Sequence, residues 1–156
     1  KRTQTRFIVI HCSATKPSQN ITIQTVREWH IAKGWADVGY HFFIRRDGVI
    51  EAGRHPDDVG AHVAGHNTDT IAVCMAGGLD EEGKSFASRP DLFTLFQWES
   101  VKVLVKVLQR MYPHAAIVGH RDLSPDLNHD EKITPDEWLK TCPGFDAVRE
   151  LGGFLP

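Results

Sequence analysis

Three short, uninterrupted apolar runs constrain the fold of this chain more than any other feature. They are Phe7–His11 (FIVIH), Ile71–Met75 (IAVCM) and Ala115–Val118 (AAIV). Each has the length of a strand rather than of a helix, and a run without polar alternation is typical of a strand buried on both faces. A sheet built from such strands needs helices to cover it.

The intervening segments carry two helix signals. Thr22 is placed as the N-cap of a helix that runs to about Lys33. Thr94 and Gln97 have the spacing of a capping box, which predicts a long helix to about Tyr112. Both helices lie between predicted strands in the chain.

A hairpin completes the predicted elements. The segment HFFIRRDGVIEAGR contains Asp47-Gly48, a dipeptide that favours a tight turn between two strands. Strands that alternate with helices predict an α/β fold, here a single domain over residues 1–156 with a central mixed β-sheet flanked by helices.

The composition narrows the class of protein. The chain has 156 residues, of which 41% are hydrophobic and 24% charged, and a net charge of -2. A net charge this close to zero argues against a broad positively charged surface that binds nucleic acid. No apolar stretch approaches the roughly 20 residues that a membrane span requires, and the first residues have no apolar signal core. We therefore expect no nucleic-acid or membrane partner and a protein made in the cytoplasm without a signal peptide.

Two histidines and one cysteine are candidate metal ligands. His11 ends the first apolar run, His120 follows the third, and Cys142 precedes a proline. Two imidazoles and a thiolate are the ligand set of a catalytic zinc site that leaves one position open for water. The chain has nine histidines, however, and a lone histidine at a strand end is more often a hydrogen-bonded structural residue.

The remaining histidines and cysteines have simpler interpretations. His62 and His66 are spaced as zinc ligands on a helix would be, but the glycines around them argue against a helix. We expect His62, together with Asn67, to contact substrate in a groove. Cys12 should point away from its neighbour His11, and Cys74 is expected in the core.

Five motifs together resemble one enzyme family. HCSATKPSQ, DVGYHFFIRRDG, GAHVAGHN, GHRD and LKTCPGFD follow one another as in the zinc-dependent N-acetylmuramoyl-L-alanine amidases of amidase type 2. That family includes short phage lysozymes of the amidase kind, which the chain resembles most, and the animal peptidoglycan recognition proteins. The resemblance covers Phe7 to Asp146.

The resemblance implies roles for five residues. His11, His120 and Cys142 match the zinc ligands, and Tyr40 and Lys140 match two catalytic positions. The bond implied joins N-acetylmuramic acid to L-alanine. A bound Zn²⁺ polarises such a carbonyl and lowers the pKa of water to roughly 7.

Tyr40 and Lys140 also have structural interpretations. The side chains of tyrosine and lysine have reference pKa values of about 10 and 10.4, so neither is a ready general base. A phenol can donate a hydrogen bond to a tetrahedral intermediate, and an ammonium group can stabilise an oxyanion. Alternatively, Tyr40 is a core aromatic residue and Lys140 complements the dipole at the end of a helix.

An acidic segment between His120 and Cys142 has two interpretations. Six of its residues occupy the ligand places of a calcium-binding loop, although the sixth place, which favours glycine, is Glu131. The candidate calcium ligands are Asp126, Asn128, Asp130, Lys132, Thr134 and Glu137. The alternative is that Thr134 and Glu137 form the capping box of a short helix.

The expected function is therefore the zinc-dependent cleavage of peptidoglycan by a monomeric phage or prophage endolysin, which acts on the cell wall after release. Two alternatives remain: a peptidoglycan-binding module without activity, and a cytosolic amidase that recycles muropeptides. The resemblance also implies polymerase binding as a second role, known among phage lysozymes.

Overall fold

A mixed five-stranded sheet forms the centre of the molecule. The computed structural model describes residues 1–152, so the last four residues of the predicted domain, 153–156, lie outside the described residues. The spatial order of the strands is β3-β2-β4-β1-β5. Their bounds are β1 Phe7–Cys12, β2 Phe42–Ile44, β3 Ile50–Ala52, β4 Thr70–Met75 and β5 Ala116–Gly119.

The three predicted apolar runs are the three neighbouring strands β4, β1 and β5, of which β5 lies at the edge of the sheet. β1 pairs in parallel with both of its neighbours, β2 pairs in parallel with β4, and β2 and β3 form the predicted antiparallel hairpin. All six residues of β4 and the first five of β1 are buried. The sheet is therefore mixed, as predicted, and its centre has no solvent-facing side.

Helices cover the sheet. Their bounds are α1 Ile23–Ala32, α2 Leu95–Met111 and α3 Ala147–Leu151. The caps expected at Thr22 and Thr94 are both present. Gln97 is fully buried, and its side-chain amide donates to the carbonyl oxygens of Ile44 and Ala76, which attaches the start of α2 to the sheet.

The short helix α3 was not predicted. Asp146 caps it by accepting a hydrogen bond from the Arg149 N–H, and Gly152 ends it at a φ of 65°. Five residues are too few to show helical periodicity. Among the residues described, no helix is long and apolar enough to cross a membrane.

Candidate metal centre

The sheet places two histidines side by side. Ile10 and Gly119 are register partners on the parallel strands β1 and β5, so the residues that follow them, His11 and His120, leave the same edge of the sheet. Their ring centroids are 4.6 Å apart. His11 is buried, whereas His120 is half-buried.

Backbone contacts bring Cys142 to these histidines. The Arg121 N–H donates to the Cys142 carbonyl oxygen at 3.0 Å. The absence of a side chain at Gly119 allows this approach, because a Cβ there would lie 2.8 Å from Cδ of Pro143. The Cys142 Sγ consequently lies 3.3 Å from the backbone N of Cys12 and 3.9 Å from Nδ1 of His11.

The three side chains form a group that fits a metal ion. Their ligand atoms lie within 4.8 Å of one another, and within residues 1–152 no other group of three His, Cys, Asp or Glu side chains has this arrangement. Two nitrogen donors and one sulfur donor suit zinc, with a further coordination position left to water or substrate.

The protonation of the histidines also suits a metal. Burial, followed by the neighbouring histidines and Lys140, holds the pKa of His11 well below its usual value. Burial and then Lys140 lower the pKa of His120 to about 4. Both imidazoles are therefore neutral at pH 7 and can donate a lone pair. A hydrogen bond with the Cys12 thiol, together with burial, raises the pKa of Cys142, so a metal must displace its proton.

Tyr40 and Lys140 both lie beside this centre. The Tyr40 ring is tilted against His11, with their centroids 5.0 Å apart. Burial and then the nearby thiols raise the pKa of Tyr40 well above its usual value, so its hydroxyl keeps its proton. Lys140 is exposed and lies in an irregular segment, not in the last turn of a helix. The helix-dipole interpretation of Lys140 therefore does not apply.

A groove of about 780 Å³ opens beside the centre. His62, Asn67, His120 and Lys140 are among its lining residues, and Lys140 also borders a smaller cavity of about 370 Å³ on the Cys142 side. His62 and Asn67 thus lie where a substrate would pass. Whether they touch it stays a prediction.

The remaining histidines and Cys74 have structural roles or lie at the surface. Nδ1 of the buried His41 accepts from the Ala72 N–H at 3.0 Å, and Nδ1 of His30 accepts from the Gly39 N–H at 2.9 Å. Cys74 is fully buried in the core, as expected.

Sequence reasoning missed the part that Thr70 plays. This residue begins β4, is fully buried, and hydrogen-bonds His62 at 3.0 Å. No motif contains it, because its partner belongs to a loop folded back over the strand.

The acidic segment forms the predicted cap. Pro135–Glu137 is a single 3₁₀ turn, and the Glu137 carboxylate accepts from the backbone N–H groups of Leu127, Asn128 and Thr134. Its carboxylates do not come together as a metal-binding group in the part of the chain described. Calcium binding stays a prediction.

Comparisons with known proteins place the chain in one family. A family profile described as N-acetylmuramoyl-L-alanine amidase matches residues 1–145. The endolysin of Enterobacteria phage T3 is 42% identical over 148 residues, covering 95% of this chain and 86% of the phage protein. The endolysin of Escherichia phage T7 is 42% identical over 149 residues, covering 96% and 87%.

A solved structure agrees with this assignment. The N-acetylmuramoyl-L-alanine amidase LysC from Clostridium intestinale superposes with a TM-score of 0.70 at 27% identity, over 94% of this chain and 81% of LysC. The fold and the family match define a hydrolase on a mixed α/β sheet, with a group of side chains that fits a metal ion. The chain belongs to the N-acetylmuramoyl-L-alanine amidase family. The predicted fold class, family and amidase activity are thereby confirmed.

Proposed function

We propose that this amidase uses one zinc ion, held by His11, His120 and Cys142, to cleave the bond between N-acetylmuramic acid and L-alanine as an endolysin. One observation carries the proposal: two neutral imidazoles and a thiol converge within 4.8 Å beside a groove. The relatives named endolysin, which match nearly the whole chain, support the biological role.

The zinc ion, when bound, supplies Lewis-acid chemistry for amide hydrolysis. The groove holds the glycan-peptide junction so that the scissile carbonyl reaches the ligand cluster. Lys140, exposed at the junction of the two cavities, places an ammonium group where negative charge develops on the carbonyl oxygen.

Tyr40 acts as a hydrogen-bond donor. Its raised pKa keeps the phenol protonated at neutral pH, which excludes the phenolate as the resting form of a general base. Its ring packs against His11, and this contact holds the hydroxyl in one position. A fixed donor stabilises the tetrahedral intermediate more than a mobile one, because it needs no reorganisation.

The complete ligand set favours an enzyme over a binding module without activity. A module that only recognises peptidoglycan needs the groove but has no use for a half-buried thiol beside two imidazoles. We further propose that the protein is a monomer made in the cytoplasm, and that it reaches the cell wall after release. A muropeptide-recycling amidase would use the same centre on soluble fragments.

Digestion of purified peptidoglycan tests the proposal. The protein is assayed as purified, after chelation, and after zinc is added back, with the products identified by mass spectrometry. We expect stem peptides that begin with L-alanine beside intact glycan chains, lost on chelation and restored by zinc. His120→Ala should abolish cleavage, whereas His114→Ala, which removes an exposed histidine, should leave it intact. Cleavage that persists without metal would overturn the zinc assignment.

A further inference from the structure

A chain of three hydrogen bonds leads from a backbone carbonyl to the candidate ligand His11. The Thr70 hydroxyl lies 2.6 Å from the carbonyl oxygen of His66 and 3.0 Å from Nε2 of His62. Nδ1 of His62 lies 2.9 Å from Nε2 of His11. The other ring nitrogen of His11, Nδ1, faces the Cys142 Sγ at 3.9 Å.

The carbonyl oxygen of His66 determines which group donates and which accepts in each of these three hydrogen bonds. A carbonyl oxygen can only accept, so the single proton of the Thr70 hydroxyl points to His66. The hydroxyl oxygen must then accept from Nε2–H of His62. In the neutral ring this leaves Nδ1 of His62 without a proton, and it accepts from Nε2–H of His11.

These hydrogen bonds determine which ring nitrogen of His11 is free to bind a metal. A neutral imidazole carries one proton, and here that proton is on Nε2, which leaves the lone pair on Nδ1. This lone pair is directed to the space that His11 shares with Cys142. The hydrogen bonds therefore select both the tautomer and the ring orientation that a metal needs.

The loop that carries His62 is itself held in place. The side-chain oxygen of Asn67 accepts from the backbone N–H groups of His62 and Val63 at 2.8 and 3.0 Å. Thr70 is fully buried at the first position of β4, so the Thr70 end of the row of hydrogen bonds is anchored in the sheet.

We propose that His62 is a positioning residue for the metal, which acts through His11 and is oriented by Thr70. Outer hydrogen-bond partners of this kind raise metal affinity because the ligand needs no reorientation on binding. Both ring nitrogens of His62 are thus occupied within the protein, and the ring offers the groove its carbon edge rather than a hydrogen bond. In this proposal, which rests on the zinc site proposed above, His62 acts on the ligand His11 and makes no hydrogen bond to the substrate.

A matched set of threonine variants tests the inference. Thr70→Val replaces the hydroxyl by a methyl group of similar shape, and Thr70→Ser keeps the hydroxyl. Thr68→Val exchanges threonine for valine at an exposed position in the loop that carries His62. Zinc dissociation constants are measured by competition with a chromophoric chelator, and thermal unfolding of each metal-free variant verifies folding. We expect zinc binding 10–100-fold weaker in Thr70→Val, with wild-type affinity in both other variants.

Nitrogen NMR of the wild-type protein provides a second readout that needs no variant and no metal. We expect the His11 and His62 rings each to be protonated on Nε2, with the His11 proton hydrogen-bonded. A His11 ring protonated on Nδ1, or a folded Thr70→Val variant with wild-type zinc affinity, would overturn the inference. Wild-type protein that fails to bind zinc at all would instead refute the proposed function, so the two failures are distinguishable.

Discussion

Ile10 lies directly opposite Gly119 in the sheet, and this single register pair explains why His11 and His120, more than a hundred positions apart in the chain, lie side by side. Ile10 and Gly119 are each followed by a histidine at the carboxyl edge of their strands. A shift of one residue in the pairing would turn one imidazole to the opposite face. The burial of both faces of β1 makes such a shift costly.

Replacing Gly119 with alanine should damage the metal centre. The new Cβ would meet Pro143 at 2.8 Å and displace the segment that carries Cys142. We expect a loss of about 1–3 kcal/mol in the free energy of unfolding and weaker zinc binding. Denaturant unfolding and zinc titration measure the two effects. Adding Pro143→Ala should recover part of both losses; strict additivity in the double variant would contradict this contact.

Zinc should stabilise the fold. A ligand that binds only the native state adds RT ln(1 + [L]/Kd), about 4 kcal/mol when zinc is at a thousand times its dissociation constant. We expect chelation to lower the Tm of the wild type, and zinc to restore it. Cys142→Ser should fold but show almost no zinc-dependent shift and no cleavage. Full zinc affinity and activity in Cys142→Ser would contradict the assignment of Cys142 as a ligand.

Lys140→Met should slow catalysis without affecting the metal. Removal of a fixed donor to the developing oxyanion costs about 10²–10³-fold in kcat, whereas the ligand set stays intact. Turnover of a muropeptide and the zinc dissociation constant are measured together. Lys106→Met, at an exposed position of α2, is the matched control and should behave like the wild type. Loss of zinc affinity in Lys140→Met would indicate a structural role.

Tyr40→Phe should also lower kcat while the protein remains folded, because the ring that packs against His11 is kept and only the hydroxyl is lost. Circular dichroism, thermal unfolding and zinc titration should match the wild type. An unchanged kcat would leave Tyr40 as a packing residue only.

Acid should destabilise the metal-free protein through buried histidines such as His41. Burial lowers the pKa of His41 from 6.5 to about 4. As pH falls, the unfolded chain takes up the proton first. The contribution of His41 to the free energy of unfolding is therefore fully present above about pH 6.5 and is lost between pH 6.5 and about 4. The loss from this residue is roughly 3 kcal/mol. Denaturant unfolding at pH 7.5 and 4.5 measures it, and His41→Gln should show a weaker pH dependence. Equal stability at both pH values would contradict the assignment.

Local patterns predicted most of the fold. The strand runs, the caps at Thr22 and Thr94 and the turn at Asp47-Gly48 each depend on neighbours within a few residues, so a sequence reveals them. The helix Ala147–Leu151 escaped prediction because it is too short for a periodic signal.

The site was less accessible to sequence reasoning. Spacing could not identify His11, His120 and Cys142, whose association depends on sheet register and on the contact of Gly119 with Pro143. Their residue types and their places in the chain made them candidates, and the family resemblance singled them out. The link from Thr70 to His62 connects a buried strand to a loop, and no local pattern encodes it.

The ligand cluster draws on residues 11, 120 and 142 of a chain of 156. During synthesis the first imidazole is made more than a hundred residues before the second, and the thiol is the last of the three ligands to be made. A chain that stops before residue 142 lacks the thiol, so the three-ligand cluster cannot form in it.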